Sequence, residues 1–347
     1  MVVFSKLISK GQGTLRVISM NVRGTVRNPA KLRLLVAQLR LLKWDVVCIQ
    51  EHHIPLSADC AALAVRLAGH GAHHIFTKGT GDRDGVITIS KFPIISSKNE
   101  SFFDPTMQGC WAKATIAAPG GNVEILNTYA PRDIRQRQAF FLKLPTLGTN
   151  AIHVGDHNCT MDSKLDRQNC KTAGGGGSLE LAMHNAFYEL TDAFRHLHRN
   201  EVHWTWYTKD RTKGTYVDRT FISDALIPHL VKCNAVDMSL KGLKLDHKCT
   251  FVDLDLQCDD TIRERRFVWQ DSVTSLDNLL QTLNTTFDDE SKSFDQCMAD
   301  VVRAATSEQD FQSTRMQKAK AKITAEINKI DTQIMYETEP YDSAMKR

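Results

Sequence analysis

Over roughly the first 260 residues, short apolar runs stop again and again at a polar residue, and the spacing within the runs alternates between strand-like and helix-like. The run Leu15 to Met20 predicts a strand that ends at Asn21. Pro29 stands where a helix can begin, and Leu32, Leu35, Leu39 and Leu42 follow at helical spacing. A second strand over 45–50 ends at Glu51. Further β-rich runs lie at 85–90, 110–116, 123–128 and 151–155, with a helix-compatible segment over 134–144. The four-glycine run Gly174 to Gly177 reads as a surface loop before a helix over 178–189. Strands at 203–207, 216–223 and 250–256 close the β-containing part. Strands mixed with helices and no internal repeat predict an α/β fold, a sandwich of two sheets.

Beyond about residue 262 the period changes. Leu276, Leu279, Leu280 and Leu283 form one helical stripe and Ile323, Ile327, Ile330 and Ile334 another, and no glycine follows Gly242. The expected organisation is a leader over 1–13, one α/β domain over 14–261 and a helical extension over 262–347.

Composition narrows the class. The 347 residues are 42% hydrophobic and 24% charged, which excludes global disorder and collagen-like chains. No apolar run approaches the length needed to span a bilayer, and Lys6 and Lys10 interrupt the opening stretch, so an intracellular protein with no membrane partner is expected. Nine scattered cysteines without a Cys-x-x-Cys pair read as reduced core thiols. The formal charge is +7 over residues 1–261 and −3 over 262–347, so a polyanionic partner suits the first part.

The candidate chemistry sits at the strand ends. Asn21, Glu51, Tyr129, Asp156 with Asn158, Asp218, and Asp246 with His247 each follow or open a β-rich run. In α/β proteins, loops beyond strand ends bring distant segments together, so these residues are expected to form one acidic pocket. Carboxylates and carboxamides are hard oxygen ligands, suited to magnesium and a phosphate rather than to zinc. Asp156 and Asn158, two apart, point to the same side of an extended segment. The pairs His52-His53 and His73-His74 lack metal-ligand spacing and read as structural.

In these same residues Gly-Asp-His-Asn resembles the Gly-Asp-Phe-Asn signature of the endonuclease/exonuclease/phosphatase superfamily, and Leu-Asp-His resembles its closing Ser-Asp-His. The order Asn, Gln-Glu, Tyr, Asp-x-Asn, Asp, Asp-His is similar to that of the superfamily over roughly residues 14 to 256. Within it, Asn-Val-Arg-Gly, Asn-Thr-Tyr-Ala-Pro, Leu-Thr-Asp-Ala-Phe-Arg, Trp-Thr-Trp-Tyr and Val-Asp-Arg-Thr-Phe-Ile-Ser resemble the endonuclease domain of LINE-type (non-LTR) retrotransposons. Abasic-site repair endonucleases carry an acidic residue where this chain has Arg23. The extension resembles the segment leading to a reverse transcriptase, although the chain has no Tyr-x-Asp-Asp polymerase motif.

The resemblance implies a magnesium-dependent endonuclease, with Mn2+ as a substitute ion, that nicks DNA in the nucleus. It implies Glu51, Asp246 and Asn21 on the metal side, and Asp156 as the group that orients or deprotonates water. His247 would be the phosphate donor fixed by Asp218, with Asn21, Tyr129 and Asn158 on the phosphate and Thr205 on the DNA. An element RNA or a reverse transcriptase domain is the implied partner of the extension. The rival expectations are a superfamily enzyme acting on small phosphoesters and a decayed remnant that only binds. His157 in place of Phe, and Leu245 in place of Ser, depart from the superfamily pattern.

Overall fold

The computed structural model describes residues 10–257 except 12, 81, 102–108, 171–174, 239–242 and 244. The helical extension and most of the leader therefore lie outside the described residues. Strand β1 (Leu15–Asn21) leads to helix α1 (Pro29–Leu41). Asn28 caps that helix by accepting from the backbone N–H groups of Ala30 at 3.0 Å and Lys31 at 3.1 Å, and Pro29 fills the first position, where no N–H is needed. There follow β2 (Val46–Gln50), α2 (Ser57–Ala68), β3 (His73–Phe76), β4 (Val86–Ser90), β5 (Ile94–Ser101), β6 (Cys110–Ala118), β7 (Gly121–Tyr129), α3 (Ile134–Phe141) and β8 (Ala151–Asp156). The short β9 (Arg167–Gln168) precedes α4 (Ser178–Phe187), β10 (Leu190–Asp192) and α5 (Ala193–Leu197). The last elements are β11 (Trp206–Tyr207), β12 (Gly214–Thr215), β13 (Asp218–Ser223), β14 (Leu230–Val236) and β15 (Cys249–Leu254).

One six-stranded sheet runs β14-β15-β1-β2-β4-β3 and the other β10-β13-β8-β7-β6-β5. Each contains one parallel pair, β1 with β2 and β7 with β8, and its other pairings are antiparallel. The two parallel pairs bring Asn21, Gln50, Tyr129 and Asp156 to carboxyl ends of strands, while antiparallel β13 and β15 begin at that same end of their sheets. This topology gathers the strand-end residues.

Both faces of the central strands are buried. Val17, Val46, Cys48, Ile125, Ile152 and Val252 pack between the sheets. On the opposite face of the first sheet, Ile18, Met20, Val47 and Ile49 meet Leu35 and Leu39 of α1 and Leu63 and Leu67 of α2. On the second sheet, Leu126 and Phe221 meet Phe140 and Phe141 of α3 and Leu181 of α4. The fold is therefore the expected α/β sandwich, four layers deep, and strands buried on both faces explain the near-continuous apolar runs of the sequence.

Three local expectations change. The strand expected over 203–207 shortens to β11, because His203 is stacked on Phe194 with ring centroids 3.9 Å apart and Trp204 lies before the pairing begins. The glycine run is packed rather than exposed where it is described: the Gly176 carbonyl accepts from Arg137 Nε at 2.7 Å and Gly177 directly precedes α4. Helix α2 and the polar edge strand β5 join the expected elements: α2 buries Cys60, Leu63, Ala64 and Leu67 at i, i+3, i+4 and i+7, whereas β5 takes its form from pairing with β6. Seven cysteines among the described residues are free thiols, and six of them are buried. No helix among the described residues is long and apolar enough to cross a membrane.

Two buried histidines make stability sensitive to acid. Burial, reinforced by Lys248 and Arg195, pushes the His203 imidazole down to about 2, and burial beside His157 and His184 holds His153 well below its ordinary value. The unfolded chain takes up these protons near pH 6.5 and the folded chain does not, so their contribution is intact above about pH 6.5 and declines as pH falls below it. The urea midpoint should drop between pH 7.5 and pH 5. The His203→Phe variant should lose less over that interval, and an equal loss would contradict the assignment.

Candidate active site

Asn21, the last residue of β1, joins the two sheets through one side-chain amide. Its Nδ2 donates to Glu51 Oε1 at 2.8 Å and to Asp156 Oδ2 at 2.9 Å, while its Oδ1 accepts from the Arg23 backbone N–H at 3.0 Å. Beneath this contact Gln50 Nε2 donates to Asn127 Oδ1 at 2.7 Å, a second polar link across the seam between sheets. Both Gln50 and Asn127 are fully buried, so the link fixes how the sheets are registered.

Glu51 leaves β2 in the left-handed region, with φ of 49°. Its Oε2 faces His53 Nε2 at 3.2 Å, its Oε1 also accepts from Arg132 Nη2 at 3.0 Å, and the Tyr129 hydroxyl donates to the same carboxylate. Burial alone would raise its pKa, but His53, Asn21, Arg132 and Tyr129 outweigh burial and hold it at about 2. Arg23 at 42°, His53 at 58°, Asp84 at 62° and Asn158 at 49° share the left-handed conformation around the site. Strained non-glycine backbone of this kind persists where surrounding contacts over-determine it, and it concentrates at functional sites.

Asp156 ends β8 and pairs in register with Asp218 at the start of β13. The glycine before it has φ of 148°, and a Cβ there would lie 2.0 Å from the Thr128 carbonyl, so Gly155 is required for β8 to run this close to β7. His247 Nδ1 is 3.0 Å and 2.9 Å from the two oxygens of Asp218, and its Nε2 is 4.0 Å from Asp156 Oδ2. Burial and the Asp218 charge push Asp156 up to about 6. Burial opposes charge on His247, yet Asp218, with Asp156 and Asp246, raises it to about 9, so it is a cation at neutral pH. The Tyr129 phenol is driven well above its ordinary value by burial, Glu51 and Asp156, and stays protonated as a donor.

Ligand atoms of Asp156, Asp218 and His247 lie within 4.8 Å of one another. A protonated imidazole committed to a carboxylate is a poor metal ligand, which shifts the metal-binding role toward the carboxylates. Glu51 is ionised and borders a cavity of about 300 Å³ with Arg23, His53, Tyr129 and Arg132, and its hard oxygens suit a magnesium-type ion.

The sequence agrees with this geometry. The model of the Endonuclease/Exonuclease/phosphatase family matches residues 18–239, from β1 past β14. The chain belongs to the endonuclease/exonuclease/phosphatase family. Its fold is similar to that of an AP endonuclease from Archaeoglobus fulgidus, with a TM-score of 0.56 and 19% identity over 70% of this chain and 99% of that one. A 3′-5′ exonuclease from Neisseria meningitidis is similar at a TM-score of 0.53 and 18% identity, covering 70% of this chain and 100% of its own. An AP endonuclease from Leishmania major matches at 0.52 and 16% identity, over 70% of this chain and 87% of that one.

Within the endonuclease/exonuclease/phosphatase fold the structure brings together Asn21, Glu51, Tyr129, Asp156, Asp218 and His247. Asn158 joins them at the rim: its backbone N–H donates to Asp156 Oδ1 at 3.0 Å and its Nδ2 to the Ala130 carbonyl at 2.8 Å. Asp246 lies beside this group, close enough to favour the charged form of His247, and its carboxylate pairs with Arg23 Nη1 at 2.5 Å. Thr205 is fully buried and does not present its side chain to the surface. Its Oγ1 instead accepts from the backbone N–H groups of Val217 at 3.3 Å and Asp218 at 3.0 Å, which sets where Asp218 begins its strand. The two departures from the family pattern also find places. The His157 ring lies in the apolar layer behind the site, 5.3 Å from the Phe221 centroid and 3.2 Å from His153 Nε2, and Leu245 is buried in the core under α1 and α2.

In sequence His53 reads as structural and Arg132 carries no assigned role. His53 sits one left-handed turn beyond Glu51, and Gly24 makes room for its ring: a Cβ there would lie 2.5 Å from His53 Nδ1. Only the fold shows that ring turned back onto Glu51. Arg219, next to Asp218, is buried with Asp192 at 2.6 Å and in contact with Asp166, and it ties the loop after Asn158 to β13.

Replacing Thr205 by Val should leave two buried N–H groups without their acceptor, a loss of about 1–3 kcal/mol in stability. Thr205→Ser should retain nearly all of it. Urea unfolding of both variants checks this, and equal stability of Thr205→Val and wild type would remove the positioning role.

Proposed function

We propose that the chain is a divalent-metal-dependent phosphodiesterase that nicks DNA, and that its likeness to LINE-type retrotransposon endonucleases extends to this activity. The observation that carries the reading is the unbroken chain of buried polar contacts from Glu51 through Asn21 to Asp156, facing the Asp218–His247 pair. It supplies, within one cluster of polar contacts, an ionised carboxylate, a carboxylate poised near neutral pH and a fixed cationic donor.

Glu51 would hold a magnesium or manganese ion, with Asn21 and, from the rim, Asp246 on the same side. Such an ion polarises a phosphoryl oxygen and stabilises the leaving 3′ oxygen. Asp156, raised to about 6, is ionised at working pH yet basic enough to take a proton from water. His247, kept charged and aimed by Asp218, donates to the oxygen on which negative charge develops. The second amide hydrogen of Asn158 would serve a phosphate oxygen, the Tyr129 hydroxyl would reach one only by turning its single proton away from Glu51, and Asn21 keeps Glu51 and Asp156 bridged rather than repelling.

The +7 charge over residues 1–261 suits a nucleic-acid backbone and implies binding that weakens with salt. In this reading the free 3′ hydroxyl primes reverse transcription in the nucleus, with an element RNA or reverse transcriptase engaged through residues 262–347. Phosphate-directed residues carry no base code, so mapped nicks are expected at flexible or distorted steps, and cleavage confined to one sequence regardless of flanking deformability would contradict this.

Purified protein should convert supercoiled plasmid to open circles with magnesium and not with EDTA. Glu51→Ala should weaken apparent magnesium affinity, with partial recovery at high magnesium. His247→Ala should slow nicking about 100-fold to 1,000-fold at every magnesium concentration, as loss of comparable donors does. Full rescue of His247→Ala by metal, or an unimpaired Glu51→Ala, would overturn the assigned roles.

A further inference from the structure

Two arginines lie on carboxylates assigned to the metal side. Arg132 Nη2 is 3.0 Å from Glu51 Oε1, and Arg23 Nη1 is 2.5 Å from Asp246 Oδ2. The partners differ in freedom. The Glu51 side chain is 4% exposed and is also held by Asn21 and His53, whereas the Arg132 side chain is 63% exposed and that of Arg23 60%. In each pair the guanidinium is the part that can leave.

Both arginines border the same cavity as Glu51 and Tyr129. Its wall also carries Asp82, Arg83 and Asp84, and Arg83 Nε already lies 3.7 Å from Asp84. Across the wider site, Glu51, Asp156, Asp218 and Asp246 face the cations Arg23, Arg132 and protonated His247. A divalent cation added to this nearly balanced set repels the guanidiniums. A planar guanidinium displaced into the cavity carries a fork of donors matched to a phosphate.

We propose that Arg132 and Arg23 are internal competitors of the divalent ion, holding Glu51 and Asp246 in its absence and passing to a backbone phosphate of the substrate when it binds. The inference rests on Glu51 being a metal carboxylate, as in the function proposed above, and it makes metal and phosphate binding mutually reinforcing through the arginines. Linkage requires the effect to be equal in both directions.

The test uses the full chain without turnover. Magnesium binding is measured by calorimetry for wild type, Arg132→Gln, Arg132→Lys and Arg23→Gln, and binding of a phosphorothioate-backbone DNA duplex is measured with and without magnesium. Arg132→Gln should bind magnesium about 5-fold to 10-fold more tightly, within the usual range of site coupling, while losing the magnesium-dependent gain in duplex affinity. Arg132→Lys should lie between Arg132→Gln and wild type. Arg23→Gln should shift in the same direction and, at an exposed position, serves as the readout if Arg132→Gln unfolds. Unchanged or weaker magnesium binding by the folded Gln variants would overturn the competition and leave the proposed function standing. A wild-type chain that binds no divalent ion would overturn both.

Discussion

One carboxamide holds the two halves of the site together. Glu51 belongs to the first sheet and Asp156 to the second, both are buried, and like charges so placed repel strongly in a medium that screens them poorly. The Asn21 amide gives one hydrogen to each, and hydrogen bonds to charged groups contribute about 1.5–3 kcal/mol. Gln50 and Asn127 repeat the device one layer deeper with neutral partners. The parallel pairs at the centre of each sheet bring the carboxyl-end residues to the seam, where Asp218 opens antiparallel β13 and His247 stands two residues before antiparallel β15.

Environment then gives similar groups different tasks. Glu51 and Asp156 are both buried carboxylates bridged by one amide nitrogen, yet the first is held down to about 2 and the second pushed up to about 6. The difference lies in the company: Glu51 meets His53, Arg132 and a phenol donor, and Asp156 meets a second carboxylate. His247 completes the division, since the Asp218 charge that disfavours ionisation of Asp156 favours protonation of the imidazole. A site with separated proton affinities can both accept and donate at one pH.

The supporting residues show how much of the machinery lies outside the signature motifs. Thr205 fixes the start of β13 through two backbone bonds, Arg219 fastens the loop after Asn158, and Gly24 leaves room for the His53 ring. His157, a departure from the family's usual aromatic residue, still fills an aromatic position between Phe141 and Phe221 and points away from the chemistry. A motif position can therefore change chemically while the geometry in front of it is kept.

The sequence by itself determined the class of fold and the inventory of chemistry, because strands buried on both faces leave continuous apolar runs and because polar residues interrupt those runs at their ends. It located Asn21, Glu51, Tyr129, Asp156, Asp218 and His247 for the same reason. What it left open depended on direction rather than identity. Whether His53 turns toward Glu51, which cation Asp246 meets, and whether the Thr205 hydroxyl meets solvent or the backbone of Asp218 are decided by a left-handed turn, a salt bridge spanning 223 residues and a buried hydrogen bond. The separations run from two residues to 223, so distance along the chain is not the common cause: a one-dimensional pattern carries the period of a local element but not the direction in which a side chain turns once the fold surrounds it.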